Sequence, residues 1–385
     1  MKHSSTPPAL AHLDAALQDL AHAHLLRERP SYHSEDILSF CSNDYLGFAS
    51  SPLPQNPGGS SASRLIAGER HEHVDLEHAL AQWLHIPSTL VFSSGYAANV
   101  GTVSALASPH DLIVSDELNH ASLIDGARLS KAHIAVVPHL DHEAIRKTLK
   151  HRHQTRAWVL TESYFSMDAD SPDLKALRTL CDEYNTALLV DEAHALGVLG
   201  PEGRGLCAEA GIIPDILIGT FGKAFGRSGA FVAGCDSLIQ WLWNCARSFV
   251  FSTGISPAIA KGIHESLNTL STSDTLRKKT LCNAERMRQG LRHLGICAKG
   301  FGHIIPWILE DPHQALNIAQ ALCEQGIHVQ AVRPPSVPVG TSRIRFTVTA
   351  RHSKKEIDDA LYALERLHLP TLSSNVCLPY TFYRK

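Results

Sequence analysis

Apolar positions along the chain fall into short runs separated by helix-length amphipathic stretches. The runs stand at 89–92, 112–115, 134–138, 157–162, 187–191, 216–219 and 230–233. Between most of them lie segments of helical length, at 96–106, 141–152 and 172–184. Strands alternating with helices predict right-handed crossovers and a largely parallel sheet. Upstream, Leu10, Leu13, Leu17, Leu20 and Leu25 recur near the helical period and stop before Pro30. A loop-rich stretch at 39–68 then leads to a second helix around 74–84. Past residue 256 the pattern changes to a long helical stretch reaching 294. Apolar runs follow at 304–309, 327–331 and 344–348, divided by helices at 313–325 and 353–367.

The expected class is therefore α/β. A large domain at 51–255 holds a mostly parallel seven-stranded sheet, and a small C-terminal α+β domain occupies 296–370. An N-terminal helical segment (1–50), a connector helix (256–295) and an aperiodic tail (371–385) complete the expected division.

Composition narrows the classes. Of 385 residues, 44% are hydrophobic and 19% charged, which excludes a mostly disordered chain. A net charge of −3 gives no basic field, so neither nucleic acid nor an acidic membrane is expected as a partner. No apolar run approaches the roughly 18–20 residues of a membrane helix. The first residues lack the apolar segment of a signal peptide, so a cytoplasmic location is expected. Nine cysteines without a CxxC pair are expected to be reduced and mostly buried. Among 24 histidines, the pairs His22/His24, His71/His73 and His151/His153 lack zinc-site neighbours. They are expected to be surface residues, and no metal is expected.

In open parallel sheets, ligands bind beyond the carboxyl ends of the strands. Four such ends carry chemistry here. The run at 187–191 delivers Asp191 and then His194 in Asp-Glu-Ala-His. A nucleotide hydrolase would also place a carboxylate there, but needs a G-x-x-x-x-G-K-[ST] loop. The nearest candidate, Thr220-Phe-Gly-Lys223-Ala, lacks that spacing and follows the acidic strand. Lys223 instead puts an amine among glycines just past a buried strand, where it can form a Schiff base with a carbonyl. Pyridoxal phosphate (PLP) supplies such a carbonyl, and Asp191 suits its need for a protonated ring nitrogen. Ser93-Ser-Gly95-Tyr96 at a strand-to-helix junction suits a phosphate, although a plain N-cap explains it equally well. The fourth end carries His120, either a helix cap or, beside PLP, a stacking face.

Further runs join these in order: Cys41-Ser-Asn-Asp-Tyr-Leu-Gly47, Ser61-Ala-Ser-Arg-Leu-Ile-Ala-Gly68, Thr161-Glu-Ser-Tyr-Phe-Ser166-Met-Asp-Ala-Asp170 and Gly200-Pro-Glu-Gly-Arg-Gly205. Together they resemble the α-oxoamine synthase family, PLP-dependent transferases of fold type I. The resemblance implies that Lys223 is joined to the cofactor and later moves the substrate Cα proton. It implies that Asp191 partners the pyridinium nitrogen, His194 bonds the phenolic oxygen, and His120 stacks on the ring and positions substrate. Gly95, Tyr96, Ser166 and Thr220 become further cofactor contacts. Ser252 and Thr253 resemble a phosphate contact from a neighbouring subunit, which implies a homodimer with shared active sites.

Arg345 matches the arginine that binds the substrate carboxylate, while Arg343 is expected to be solvated. Arg27, or else Arg29, stands where an N-terminal arginine meets substrate. The implied reaction joins an amino acid to an acyl thioester with loss of CO2. Arg333-Pro-Pro-Ser336-Val-Pro resembles the members that use L-alanine with pimeloyl-CoA or pimeloyl-acyl carrier protein in biotin biosynthesis, which brings Arg333 and Ser336 to the substrate. The alternatives are a relative using glycine or serine, such as a glycine C-acetyltransferase, and a PLP-binding homologue without activity.

Overall fold

The computed structural model describes residues 12–27 and 37–367. Leu10, Arg29, Pro30 and the segment 371–385 lie outside the described residues. After the helix α1 (His12–His22) comes a two-residue strand, β1 (Leu38–Ser39). The next seven strands are β2 (Ser88–Phe92), β3 (Leu112–Asp116), β4 (His133–Val137), β5 (Ala157–Glu162), β6 (Ala187–Asp191), β7 (Ile216–Thr220) and β8 (Ala230–Gly234). They form one sheet in the order β2-β8-β7-β6-β5-β3-β4. Only β8 runs against its neighbours, so the sheet is mostly parallel, as the alternating pattern predicts.

Apart from the half-exposed edge strand β4, these strands read as apolar runs because both faces are covered. In β6, Leu188 and Val190 enter one core cluster while Leu189 enters the cluster on the other face. Each such side chain contributes about 1.5–3 kcal/mol by leaving water. Helices α2 (His71–Leu84), α3 (Gly95–Leu106) and α4 (Ala121–Ser130) lie among these layers.

The remaining strands are β9 (Ile304–Glu310), β10 (Ile327–His328), β11 (Gln330–Val332) and β12 (Ser342–Thr347). An antiparallel sheet, β11-β12-β9, packs on a third cluster that includes Phe40, Trp307, Ile344 and Phe346. β1 pairs in parallel with β10, and Thr347 N–H donates to the Phe40 carbonyl at 2.6 Å. The segment at 38–45 is thereby sewn to the C-terminal sheet, far from it in sequence.

Several sequence expectations need correction. The stretch 256–294 is two helices, Pro257–Ser271 and Asp274–His293. The break falls where Thr272 and Ser273 hydroxyls donate to the carbonyls of Asn268 and Thr269, competing with the helix ladder. Arg343 is buried rather than solvated, at 2% exposure. It shares a strand face with Arg345, two residues on, and it donates to the Met167 carbonyl and Asp168 at 2.7 Å each. His73 is buried too, held between the Arg70 N–H and the Ile255 carbonyl. Among the described residues, seven cysteines are free thiols, of which Cys181 and Cys207 alone are buried, and Cys297 is disulfide-bonded. The leucine face of α1 (Leu13, Leu17, Leu20) is exposed. Among the described residues, no helix is long and apolar enough to cross a membrane, and no cluster could hold a metal.

Candidate active site

The carboxyl ends of β3, β5, β6 and β7 lie side by side, and polar side chains converge there. Asp191 ends β6 and is 6% exposed. It accepts from Ala193 N–H at 2.8 Å and from Asn99 Nδ2 at 2.7 Å. Its register partner on β5 is Glu162, whose carboxylate accepts the His120 N–H at 2.7 Å. Burial, with Asp191 alongside, raises Glu162 to about 8.

Lys223 follows β7 on a tight turn closed by Gly226 N–H on the Lys223 carbonyl. Gly226 has φ +64°, and a Cβ there would stand 2.4 Å from the Ala49 nitrogen. Only glycine allows this turn to press on the 48–49 backbone. Burial lowers the Lys223 amine to about 8, against the pull of Asp191 and Glu162. At pH 7 roughly a tenth is therefore the nucleophilic free amine, far more than for an ordinary lysine.

His194, 8% exposed, points its Nδ1 at the Tyr45 hydroxyl, 2.7 Å away. Burial and the nearby Lys223 hold this imidazole well below its ordinary pKa. Tyr45 also donates to Asn43 Oδ1, which accepts from both terminal nitrogens of Arg345 at 3.2 and 3.3 Å. Arg345 Nε donates to the Ser166 carbonyl at 2.7 Å. The β1–β10 pairing brings Asn43 to Arg345, and Ser166 enters through its backbone.

His120 caps α4 and keeps an exposed surface, although its neighbours already partly desolvate the ring. Across from it, Ser94 caps α3 by accepting from Ala97 N–H, leaving the first-turn amides of Gly95 and Tyr96 outside the helix's own ladder. A Cβ on Gly95 would sit 3.6 Å from Thr220, so β7 and the α3 N-terminus adjoin. This donor set suits PLP: a depressed amine, a buried carboxylate, an open imidazole and amides at a helix N-terminus suited to phosphate.

Other expected residues lie elsewhere. Ser252 and Thr253 line a recess with Arg64, Phe92 and Ser93, and Lys223 is not part of that lining. Arg27 donates to Ser336 Oγ at 3.2 Å, and Arg333 donates to the His24 carbonyl. These contacts tie residues 24–27 to the 333–336 loop. Asn43, Asn99, Ser122 and Glu162 were not singled out from the sequence. Glu162 ends an apolar strand just as Asp191 does, so the strand-end rule could have found it.

The sequence signature described as aminotransferase class I and II matches residues 35–364. The 8-amino-7-oxononanoate synthase of Marinobacter nauticus is 41% identical over 343 residues, covering 86% of this chain and 87% of that protein. The chain belongs to the 8-amino-7-oxononanoate synthase family of class I and II aminotransferases. The synthase of Geotalea daltonii is 39% identical over 345 residues, 86% of this chain and 88% of its own. Among solved structures, a lysine-to-alanine variant of the serine palmitoyltransferase of S. paucimobilis with a bound PLP–myriocin aldimine superposes with a TM-score of 0.86 at 26% identity. It covers 93% of this chain and 97% of its own. The 8-amino-7-oxononanoate synthase of Francisella tularensis gives 0.74 at 26% identity, covering 87% of this chain and 98% of its own. The fold is that of the type I PLP transferases.

Proposed function

We propose that this protein condenses L-alanine with a pimeloyl thioester, on coenzyme A or an acyl carrier protein, using PLP. The products are 8-amino-7-oxononanoate, CO2 and the free thiol carrier, in the synthesis of biotin. The observation that carries this reading is the convergence of Lys223, Asp191, His120 and His194 with an arginine–asparagine clamp, in a chain whose relatives bear that enzyme name. Bound PLP draws electrons from the amino acid's Cα, easing loss of a proton and later of CO2.

The chain's own residues do the rest. Lys223 holds the cofactor and carries the proton to and from Cα. Asp191 would keep a proton on the ring nitrogen, His194 would serve the phenolic oxygen, and His120 would cover the ring. Gly95, Tyr96 and Thr220 would hold the phosphate end, and the Ser166 segment would lie beside the ring. Ser252 and Thr253 complete the phosphate site from a second copy, which makes the working form a homodimer. Arg345, steadied by Asn43, grips the alanine carboxylate, and the Arg27–Ser336–Arg333 cluster meets the acyl donor.

Purified protein incubated with PLP, each of alanine, glycine and serine, and pimeloyl- or acetyl-CoA should yield the 8-amino-7-oxononanoate mass only from alanine and the pimeloyl thioester. The better superposition on a serine palmitoyltransferase favours one rival, use of serine. A long-chain keto amine from serine and palmitoyl-CoA, with none from alanine, would replace the first reading. Arg345→Ala should raise the KM for alanine about ten- to a hundredfold, the worth of charge-assisted hydrogen bonds. An unchanged KM for alanine would remove Arg345 from the clamp.

A further inference from the structure

Behind His120 lies a hydrogen-bonded chain that the functional reading does not use. His120 Nδ1 stands 2.7 Å from Ser122 Oγ and accepts the Ser122 backbone N–H at 3.3 Å. Ser122 Oγ accepts from Asn99 Nδ2 at 2.9 Å, and the same nitrogen donates to Asp191 Oδ2 at 2.7 Å. Asn99 and Ser122 are buried, at 2% and 0% exposure.

Donor accounting gives this chain one direction. A carboxylate only accepts, so Asn99 must turn its amide nitrogen to Asp191. Rotating the amide would set its oxygen against the carboxylate. The amide keeps its orientation although Oδ1 is then buried with no partner. Both N–H bonds of Asn99 are thereby used, and Ser122 Oγ is an acceptor toward it. The single hydroxyl proton of Ser122 is left for His120 Nδ1, which the Ser122 backbone N–H already approaches. Two donors converging on one ring nitrogen require a lone pair there.

We propose that Asn99 and Ser122 are positioning residues that link Asp191 to His120 and fix that ring as the neutral Nε2–H tautomer. Asp191 thus acts in two directions, toward the cofactor nitrogen and, through two buried side chains, on the ring that covers the cofactor. Burial and the Lys223 charge also disfavour the imidazolium, outweighing the attraction of Asp191. The covering ring then adds no positive charge of its own and keeps Nε2–H as its sole donor. The significance for catalysis rests on the placement of His120 against PLP, but the tautomer itself does not.

The test uses full-length protein carrying [15N]histidine, without cofactor and loaded with PLP. Long-range 1H–15N spectra are compared, with the His120 signals assigned by their loss in His120→Asn. In both forms Nδ1 should resonate as an unprotonated acceptor and Nε2 as a protonated nitrogen. Ser122→Ala and Asn99→Ala should move Nδ1 toward a tautomer mixture and lower kcat about five- to tenfold, the worth of one neutral hydrogen bond. Ser122→Thr, which keeps the hydroxyl, should restore both. A protonated Nδ1 in the unsubstituted protein overturns the proposal. So do unchanged spectra and kcat in both alanine variants. Because the cofactor-free spectrum fixes the tautomer alone, absence of visible PLP absorption would count against the functional reading and not against this chain.

Discussion

Lys223→Ala is expected to give a colourless protein after incubation with PLP, with kcat reduced at least about a thousandfold. Two losses combine in that figure. On the proposed reading, the amine that anchors the cofactor disappears, and so does the group that carries the Cα proton. The pH behaviour of the unsubstituted protein offers a second check on the same residue. Burial lowers the amine from 10.5 to about 8, although Asp191 and Glu162 favour its charged form. Only the free amine attacks a carbonyl, so the rate of PLP uptake should rise with pH up to about 8 and then level off. A rate still climbing toward the ordinary lysine value would mean that the site does not depress Lys223. Visible absorption that persists in Lys223→Ala would remove the residue from the role altogether.

Legibility in the sequence followed sequence distance. The seven large-sheet strands were readable because each is a local apolar run, and Lys223, Asp191 and His120 because each follows such a run. Residues whose significance comes from a remote partner were not. Asn43 sits in a quoted motif, yet its bonds to Arg345 depend on β1 joining a strand nearly three hundred residues later. Asn99 lies one turn past Gly95, where nothing local shows that it faces Asp191. Arg343 reads as solvated by its charge, although its parity with Arg345 on one strand contains the answer. The histidine surplus was equally opaque: spacing alone does not separate buried His73 from exposed His71.

His139 is the sharpest case of such a hidden residue, and its removal should be among the most damaging changes. It follows β4, with its ring Nδ1 2.9 Å from Asp116 and Nε2 3.2 Å from Asp170. Asp116 opens the turn that leads to His120, and Asp170 closes the segment whose Ser166 carbonyl holds Arg345. The imidazolium therefore staples two site loops together. Burial alone would lower its pKa, but the two carboxylates prevail and raise it from 6.5 to about 10. A raised folded-state pKa means that the staple stabilises fully below about 6.5 and loses that contribution as pH rises through about 10. His139→Leu leaves one buried carboxylate, Asp116, and one partly buried, Asp170, without their cation, so it should cost about 3 kcal/mol at neutral pH. Denaturant unfolding of the two proteins at pH 7 and above pH 10 measures the difference, which should shrink at the higher pH. Adding Asp170→Asn should return part of the loss at neutral pH, because it removes one of the stranded charges. Asp116 is the worse choice for that rescue, since its carboxylate also holds the backbone N–H groups of Leu118 and Leu140. A His139→Leu protein as stable as the original at pH 7 would mean that the ring is only packed there, against Phe165.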